Sequence, residues 1–173
     1  MKHTFLRKYL LLFPVCLTLL LCACTGTGEA APDFPFSDAD WDSTKEDIFA
    51  LEGTDYTTYD SVYGGICYTY PKTYENYEGT IKYMLDSEDK LMCVAWTCSS
   101  ESDEELASLF DQIKQSVQEK YGEDSSTADN PTNYGAVWHR EEGNIVLSTM
   151  ITSDLKALQY AYLNPAVSTA QKE

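Results

Sequence analysis

The sequence has little histidine, little positive charge and few residues that interrupt regular structure. It contains two histidines, and its 12 Lys and Arg residues face 28 Asp and Glu residues, a formal net charge of −16. Such a charge repels phosphate backbones, so we expect no nucleic-acid partner. With 9 Gly and 6 Pro among 173 residues, collagen-like and low-complexity chains are excluded. Because 43% of the residues are hydrophobic, we expect one globular domain.

Motifs for nucleotide, metal and nucleophilic chemistry are also missing from the sequence. Gly64-Gly65 is not followed by the Lys and the helix of a phosphate-binding loop. Outside the N-terminal segment the only imidazole is His139, which alternation with Trp138 places on the outer side of a strand. A zinc site would lack ligands, because there is no C-x-x-C pair. We therefore predict no enzyme activity, no cofactor and no metal.

The N-terminus has the pattern of an export signal. Basic residues at Lys2, Arg7 and Lys8 precede an apolar run from Tyr9 to Leu21. As a helix this run would be only about 20 Å long, which is short of the roughly 30 Å hydrocarbon core that a permanent transmembrane helix crosses. Residues 1–23 are therefore predicted to be a removable signal peptide.

The apolar run ends in Leu21-Cys22-Ala23-Cys24, which resembles a bacterial lipobox. The resemblance implies that the Cys24 thiol receives a diacylglyceryl group, and that cleavage before Cys24 makes it the new N-terminus. Cys22 is a poorer second acceptor, and an ordinary signal peptide without a lipid is the alternative. The expected product is a lipoprotein on the outer side of the cell membrane.

The segment after the lipidation site is predicted to be a tether. Residues 24–40 contain Gly, Pro and small residues without periodicity, which indicates a flexible linker. Loss of the signal peptide leaves nine basic residues against 28 acidic ones. Because such a charge disfavours adsorption to anionic lipids, we expect membrane contact only through the N-terminal lipid.

Three cysteines remain for the folded domain, namely Cys67, Cys93 and Cys98. An oxidising compartment favours one disulfide and one leftover thiol. Cys93 and Cys98 lie five residues apart and point to opposite sides of a regular strand, so we do not expect them to pair with each other. Cys67 is the predicted partner of either one, and the sequence leaves the choice open.

The first half of the domain is predicted to be a short helix followed by a meander of strands. Ser43 and Glu46 have the spacing of a capping box for a helix that runs to about Leu51. Alternation and turn residues then predict four strands, at 56–59, 63–70, 80–85 and 91–97.

The second half repeats this order. Ser102 to Glu105 has capping-box spacing, and a stripe of apolar residues predicts a helix ending at Gly122. A polar loop at 123–133 and three strands, at 135–140, 144–151 and 155–163, follow. The prediction is an α+β domain over residues 41–165, with an antiparallel sheet, two helices on one face, a duplicated helix-plus-meander unit, and a tail at 166–173.

From Trp41 to Leu163, this tethered helix-then-meander repeat resembles small bacterial lipoproteins with a BamE-like or beta-lactamase-inhibitor-protein-like domain. The residues that carry the likeness are Trp41 to Glu46 at the first helix and Trp138 with Ile145 to Leu147 in the second unit. The resemblance implies a non-catalytic protein that binds or assembles a protein partner in the cell envelope. No binding residue is carried over from it.

Tyrosine is abundant in the first half. Of 13 tyrosines, eight lie between Tyr56 and Tyr83. Tyrosine rings suit interfaces, although they also simply suit strands. A tethered receptor for a small ligand, a peptide or a glycan is therefore the alternative function. Its candidate binding face consists of Tyr63, Tyr68, Tyr70, Tyr74 and Tyr77.

Overall fold

The structure, a computed structural model, describes residues 32–130 and 133–170. It consists of eight strands and three helices. In chain order these are α1 (Lys45–Glu52), β1 (Thr57–Asp60), β2 (Gly64–Tyr74), β3 (Tyr77–Asp86), β4 (Leu91–Ser99), α2 (Asp103–Tyr121), β5 (Ser126–Asn130), β6 (Asn133–Trp138), β7 (Asn144–Ile151), β8 (Lys156–Leu163) and α3 (Pro165–Ala170).

The strands form one antiparallel sheet with the order β1-β2-β3-β4-β8-β7-β6-β5. Each of the first two helices is followed by four strands in sequence, and the last strands of the two units, β4 and β8, pair at the centre. Ile48 of α1 belongs to the same buried cluster as Leu109 and Ile113 of α2, so both helices pack on the same face. The predicted α+β fold with a repeated helix-plus-meander unit is confirmed.

The β2–β3 hairpin extends beyond the strands predicted from the sequence. Its turn is Glu75-Asn76, and both residues have positive φ, 50° and 66°, as a two-residue type I′ turn requires. Because proline is disfavoured inside a strand, the sequence pattern predicted that this strand ends at residue 70, just before Pro71. Pro71 is tolerated because β1 pairs with β2 only as far as Thr69, so that at Pro71 the strand is an edge.

The N-cap residue of α1 is Thr44, one residue later than the predicted N-cap, Ser43. The Thr44 hydroxyl accepts from the Asp47 backbone N–H at 3.3 Å, and the Thr44 N–H donates to the Asp47 carboxylate at 2.9 Å. Ser43 and Glu46, the predicted pair, do not form the box, because the Ser43 hydroxyl is hydrogen-bonded to Asp40. Both pairs fit the capping-box spacing, because Ser43 is followed three residues later by Glu46 and Thr44 is followed three residues later by Asp47.

Helix α2 confirms its sequence pattern more closely. The Ser102 hydroxyl caps it by accepting from the Glu105 N–H at 3.2 Å. The predicted stripe faces the sheet and is buried, with Leu106, Leu109, Phe110, Ile113 and Val117 as its members.

The segment before α1 is part of the folded domain, although the sequence analysis assigned residues 24–40 to a flexible tether. Phe34, Phe36 and Ala39 are buried in the main core. The Phe36 ring contacts the Tyr160 ring edge-on at 5.4 Å between centroids. The tether therefore ends before Phe34, because two phenylalanines bury enough apolar area to hold an irregular segment on the sheet. We call residues 33–41 the strap.

Two further elements differ from the sequence prediction. Residues 126–130, predicted as loop, form the edge strand β5, which pairs with β6. Helix α3 begins at Pro165 and runs through most of the predicted tail. The Asn164 carboxamide starts it by accepting from the Ala166 N–H and donating to the Leu91 carbonyl, both at 2.9 Å.

We expect Phe36→Ala to lower the free energy of unfolding by about 3–5 kcal/mol, the cost of removing a buried aromatic ring. The measurement is urea denaturation of a lipid-free form that begins at Thr25. Val62→Ala is the control, because Val62 is 84% exposed and its loss should change stability by less than about 0.5 kcal/mol. Equal stability of the two variants would contradict the strap as a core element.

Candidate functional site

The two faces of the sheet have different surroundings. The face under α1 and α2 is closed by the helices and the strap. The opposite face, here called the open side, is covered by neither α1 nor α2. A smaller cluster lies on it, with Cys93, Ala95 and Ala161 buried beneath Tyr63 and Met84.

The open side has almost no charge. Alternate residues of a strand lie on the same face of the sheet, and register partners on neighbouring strands lie on the same face as each other. The strand pairing therefore shows which residues form the open side. One row across it is Thr69, Lys82, Ala95, Ala161 and Val146. Among the positions on this face from β1 to β4 and on β7 and β8, three are charged, namely Glu78, Lys82 and, at the end of β3, Asp86.

A groove of about 640 Å³ opens on this side. Its floor is polar and uncharged, and the Thr80 and Thr97 hydroxyls share a hydrogen bond of 2.8 Å there. Met150 and Leu155, both about half exposed, form an apolar wall. The other lining side chains include Glu78, Lys82, Ser99, Ser148, Ala157 and Gln159.

Lys82 stands apart among the eight Lys and Arg residues of the described chain, because it and Lys90 are the two without an ion pair. Six of them form ion pairs, namely Lys45, Lys72, Lys114, Lys120, Arg140 and Lys156. Within residues 32–130 and 133–170, Lys82 has no carboxylate within ion-pair distance. The sequence analysis missed it, although its position between Ile81 and Tyr83 predicts that it faces away from the core.

The groove and the N-terminus of the domain lie at opposite ends of the sheet. Pro32 lies beside Tyr121, at the end of α2, and beside Glu142 in the β6–β7 turn. This is the end where Cys93, Leu163 and Asn144 are register neighbours. The groove lies at the other end, where Ser99, Ala157 and Met150 are neighbours. A tether leaving at Pro32 thus starts far from the groove.

A smaller cavity of about 190 Å³ lies where the strap begins. Its charges are paired, since Lys120 binds Asp33 and Arg140 binds Glu142. The Arg140 guanidinium also lies 4.1 Å above the centre of the Tyr121 ring. These contacts fasten the strap and the β6–β7 turn to the end of α2, so we assign this cavity a structural role.

The five candidate tyrosines do not form one binding face. Tyr68 and Tyr70 point under the helices, and Tyr74 and Tyr77 pack against the same core. Tyr63 alone is on the open side. Burial raises the pKa of Tyr63, Tyr70 and Tyr74 to about 12. The density of tyrosine is explained by ring packing, as in the edge-on contact of Tyr56 with Tyr68 at 5.1 Å.

The predicted disulfide is absent, because Cys67, Cys93 and Cys98 are all free. Cys67 and Cys93 are both on the open side, but Met84 of β3 lies between them in the register. Two strand spacings separate their Cα atoms by roughly 10 Å, beyond the ~7 Å limit for a disulfide. Cys98 is in the core under the helices and cannot reach Cys67.

Three further observations concern metal ligands, His139 and membrane-spanning helices. In residues 32–130 and 133–170 no three His, Cys, Asp or Glu side chains are grouped so as to hold a metal ion. His139 is exposed. Within the same ranges no helix is both long and apolar enough to span a membrane. Cys24 and the signal peptide lie outside the described residues.

Comparison with known proteins identified no relative. No protein family matches the chain, and neither a curated protein nor a solved structure is significantly similar to it. The function therefore has to be argued from the groove, the open side and the N-terminal sequence.

A lipid-free form that begins at Thr25 should contain three free thiols when denatured without a reductant. In the native state we expect slow labelling at pH 8, because burial raises the pKa of Cys93 to about 12 and that of Cys98 to about 11. Titration with a chromogenic disulfide reagent, with and without denaturant, measures both quantities. One thiol per denatured chain would instead indicate a disulfide.

Proposed function

We propose that the protein is a non-catalytic, lipid-anchored docking module of the cell envelope that binds a protein partner through its open side. The observation that carries this proposal is the charge distribution. In a chain with a net charge of −16, an eight-stranded sheet presents a face with three charged side chains, Glu78, Lys82 and Asp86, on the strands from β1 to β4 and on β7 and β8. Depletion of charge is typical of the centre of protein interfaces.

The dimensions of the open side support a protein partner. Eight strands about 4.8 Å apart are roughly 38 Å wide, and strands of this length reach roughly 20 Å. This is on the order of 800 Å², the area that one partner buries in an interface of standard size. Met150 and Leu155 are exposed apolar side chains at its groove, where burial by a partner would be favourable.

The anchoring part of the proposal rests on the lipobox-like sequence ending in Cys24. Between Cys24 and the strap lie only a few small residues, so the domain would stay within a few tens of ångströms of the bilayer. Because Pro32 and the groove are at opposite ends of the sheet, the groove would face away from the membrane. This orientation leaves the open side accessible to a partner.

A receptor for a small ligand, a peptide or a glycan is the second candidate, and the groove itself favours it. Its volume lies in the range of ligand sites, and its floor has hydroxyl and amide groups at Thr80, Thr97, Ser148 and Gln159. The five tyrosines that suggested this function from the sequence do not form one exposed face, because four of them pack in or against the core under the helices. We rank the protein partner first because the uncharged surface extends well beyond the groove.

We expect Cys24→Ala to move the protein from the membrane fraction to the soluble fraction, because two acyl chains are needed for stable anchoring and the variant cannot accept them. Fractionation of cells with immunoblotting measures this. Cys22→Ala is the matched control, since the second cysteine of the motif should not be the acceptor. Equal solubility of the wild type and of Cys24→Ala would show that the lipobox assignment is wrong.

Asp substitutions at Met150 and Leu155 should weaken partner binding about tenfold or more, because they place desolvated charges in an apolar contact. In-cell crosslinking followed by quantitative mass spectrometry measures the yield of the crosslinked partner. Leu51→Asp is the control, since Leu51 is equally exposed but lies on α1, on the other face. A partner that is lost equally with Leu51→Asp would not be using the open side.

A further inference from the structure

The chemistry of the partner can be inferred from Lys82, and this inference rests on the proposed docking function. We propose that the partner inserts a loop into the groove and places the carboxylate of an Asp or Glu against the Lys82 ammonium group. The other groove-contacting residues of that loop are uncharged, with an apolar side chain against Met150 and Leu155.

The first argument is the missing counterion. Acids outnumber bases 28 to 12, and most cations of the described chain have a carboxylate close by. Lys82 has none in the described chain, although it lies in the middle of β3 with paired strands on both sides. The other charged side chains on these strands of the open side are Glu78 and Asp86, each four residues from Lys82 along β3, so that their Cα atoms lie roughly 13 Å from that of Lys82. Lys82 thus lines the groove without an ion-pair partner in the described chain.

The second argument is the surface around Lys82. Its register neighbours are Thr69 and Ala95, and Thr80 and Met84 flank it on the same strand. Small neighbours leave the ammonium group accessible, and the hydroxyls in the groove supply further hydrogen-bonding groups. A covered carboxylate bound to an ammonium in such surroundings is only weakly screened by water, so a desolvated pair there adds specificity.

The third argument concerns which kinds of anion can approach this acidic protein. The 28 acids create a field that opposes nucleic acids and anionic membranes, since these carry many charges over a long distance. A single carboxylate within an otherwise uncharged loop experiences this repulsion least. The groove of about 640 Å³ accommodates such a loop together with an apolar side chain.

A random library of cyclic peptide loops displayed on phage provides the test. It is panned against the lipid-free protein, and clones that still bind the Met150→Asp, Leu155→Asp double variant are removed. The remaining clones should share an Asp or Glu at one position. This enrichment is diagnostic, because a lipid-free protein with 28 acidic and nine basic residues otherwise selects Lys and Arg.

Synthetic loops then give the binding constants. We expect Lys82→Gln to weaken the consensus loop about tenfold or more and Lys90→Gln, at an exposed unpaired lysine, to leave it unchanged. On the wild type, replacing the loop carboxylate with the amide should weaken binding by the same factor as Lys82→Gln does. On Lys82→Gln the same replacement should not change the binding constant further, which is the signature of a direct pair. Thermal unfolding verifies that Lys82→Gln is folded.

The outcomes separate the two proposals. Clones that require Met150 and Leu155 but share no acid, or that bind Lys82→Gln equally well, overturn the carboxylate pairing and leave docking on the open side intact. If no clone depends on Met150 and Leu155, the carboxylate pairing and docking on the open side are both overturned. A dimer in sedimentation that the Met150→Asp, Leu155→Asp double variant converts to a monomer would also overturn the pairing with a partner loop, because a second copy of the chain would then cover the open side.

Discussion

The pairing of β4 with β8 holds the molecule together, because it joins the last strands of two otherwise separate helix-plus-meander units. Each four-stranded unit alone would expose a central edge with unpaired backbone groups, which invites association with other chains. Seven residue pairs from Cys93↔Leu163 to Ser99↔Ala157 close that edge. The same pairing creates one continuous core under the helices and one continuous surface on the open side.

The groove depends on this seam. Thr97 of β4 and Gln159 of β8 are register partners in its floor, so two units contribute to one site. On the other side of the seam, Trp96 and Tyr160 are partners in the core. The Trp96 indole N–H donates to the Lys72 carbonyl at 2.9 Å, and a Cβ on Gly79 would come within 2.8 Å of this ring. Gly79 therefore lets the tryptophan lie flat beside β3.

Features that depend on residues close together in the sequence were predictable, whereas features that depend on contacts between distant residues were not. Helix α2 and most strands follow from local periodicity, because side chains at fixed spacing reach the same face. The strap did not, since Phe34 and Phe36 carry no periodicity and they pack on Tyr162 and Tyr160 of β8, which lie far along the chain. The disulfide prediction failed for a related reason, because only the register shows that Met84 separates Cys67 from Cys93.

The candidate site illustrates the same limit more strongly. Alternation along β3 indicates that Lys82 faces away from the core, but its significance comes from strands β7 and β8, which supply Met150 and Gln159 from far along the chain. The tyrosines gave a misleading signal because ring size suits both an interface and a core, and only burial distinguishes the two.

Charge and position are linked across the whole domain. At the end of the sheet beside Pro32, Lys120 and Arg140 are neutralised by Asp33 and Glu142, so the strap is held where the proposed membrane anchor would pull on it. At the opposite end Lys82 has no counterion in the described chain, and Glu78 is the one acid among the lining residues of the groove. Paired cations at one end and an unpaired lysine in the groove at the other are what the proposed separation of attachment from recognition requires. The acids elsewhere on the domain disfavour unspecific contacts with other acidic molecules, so that the open side, with its few charges, is the least repulsive approach for the proposed partner.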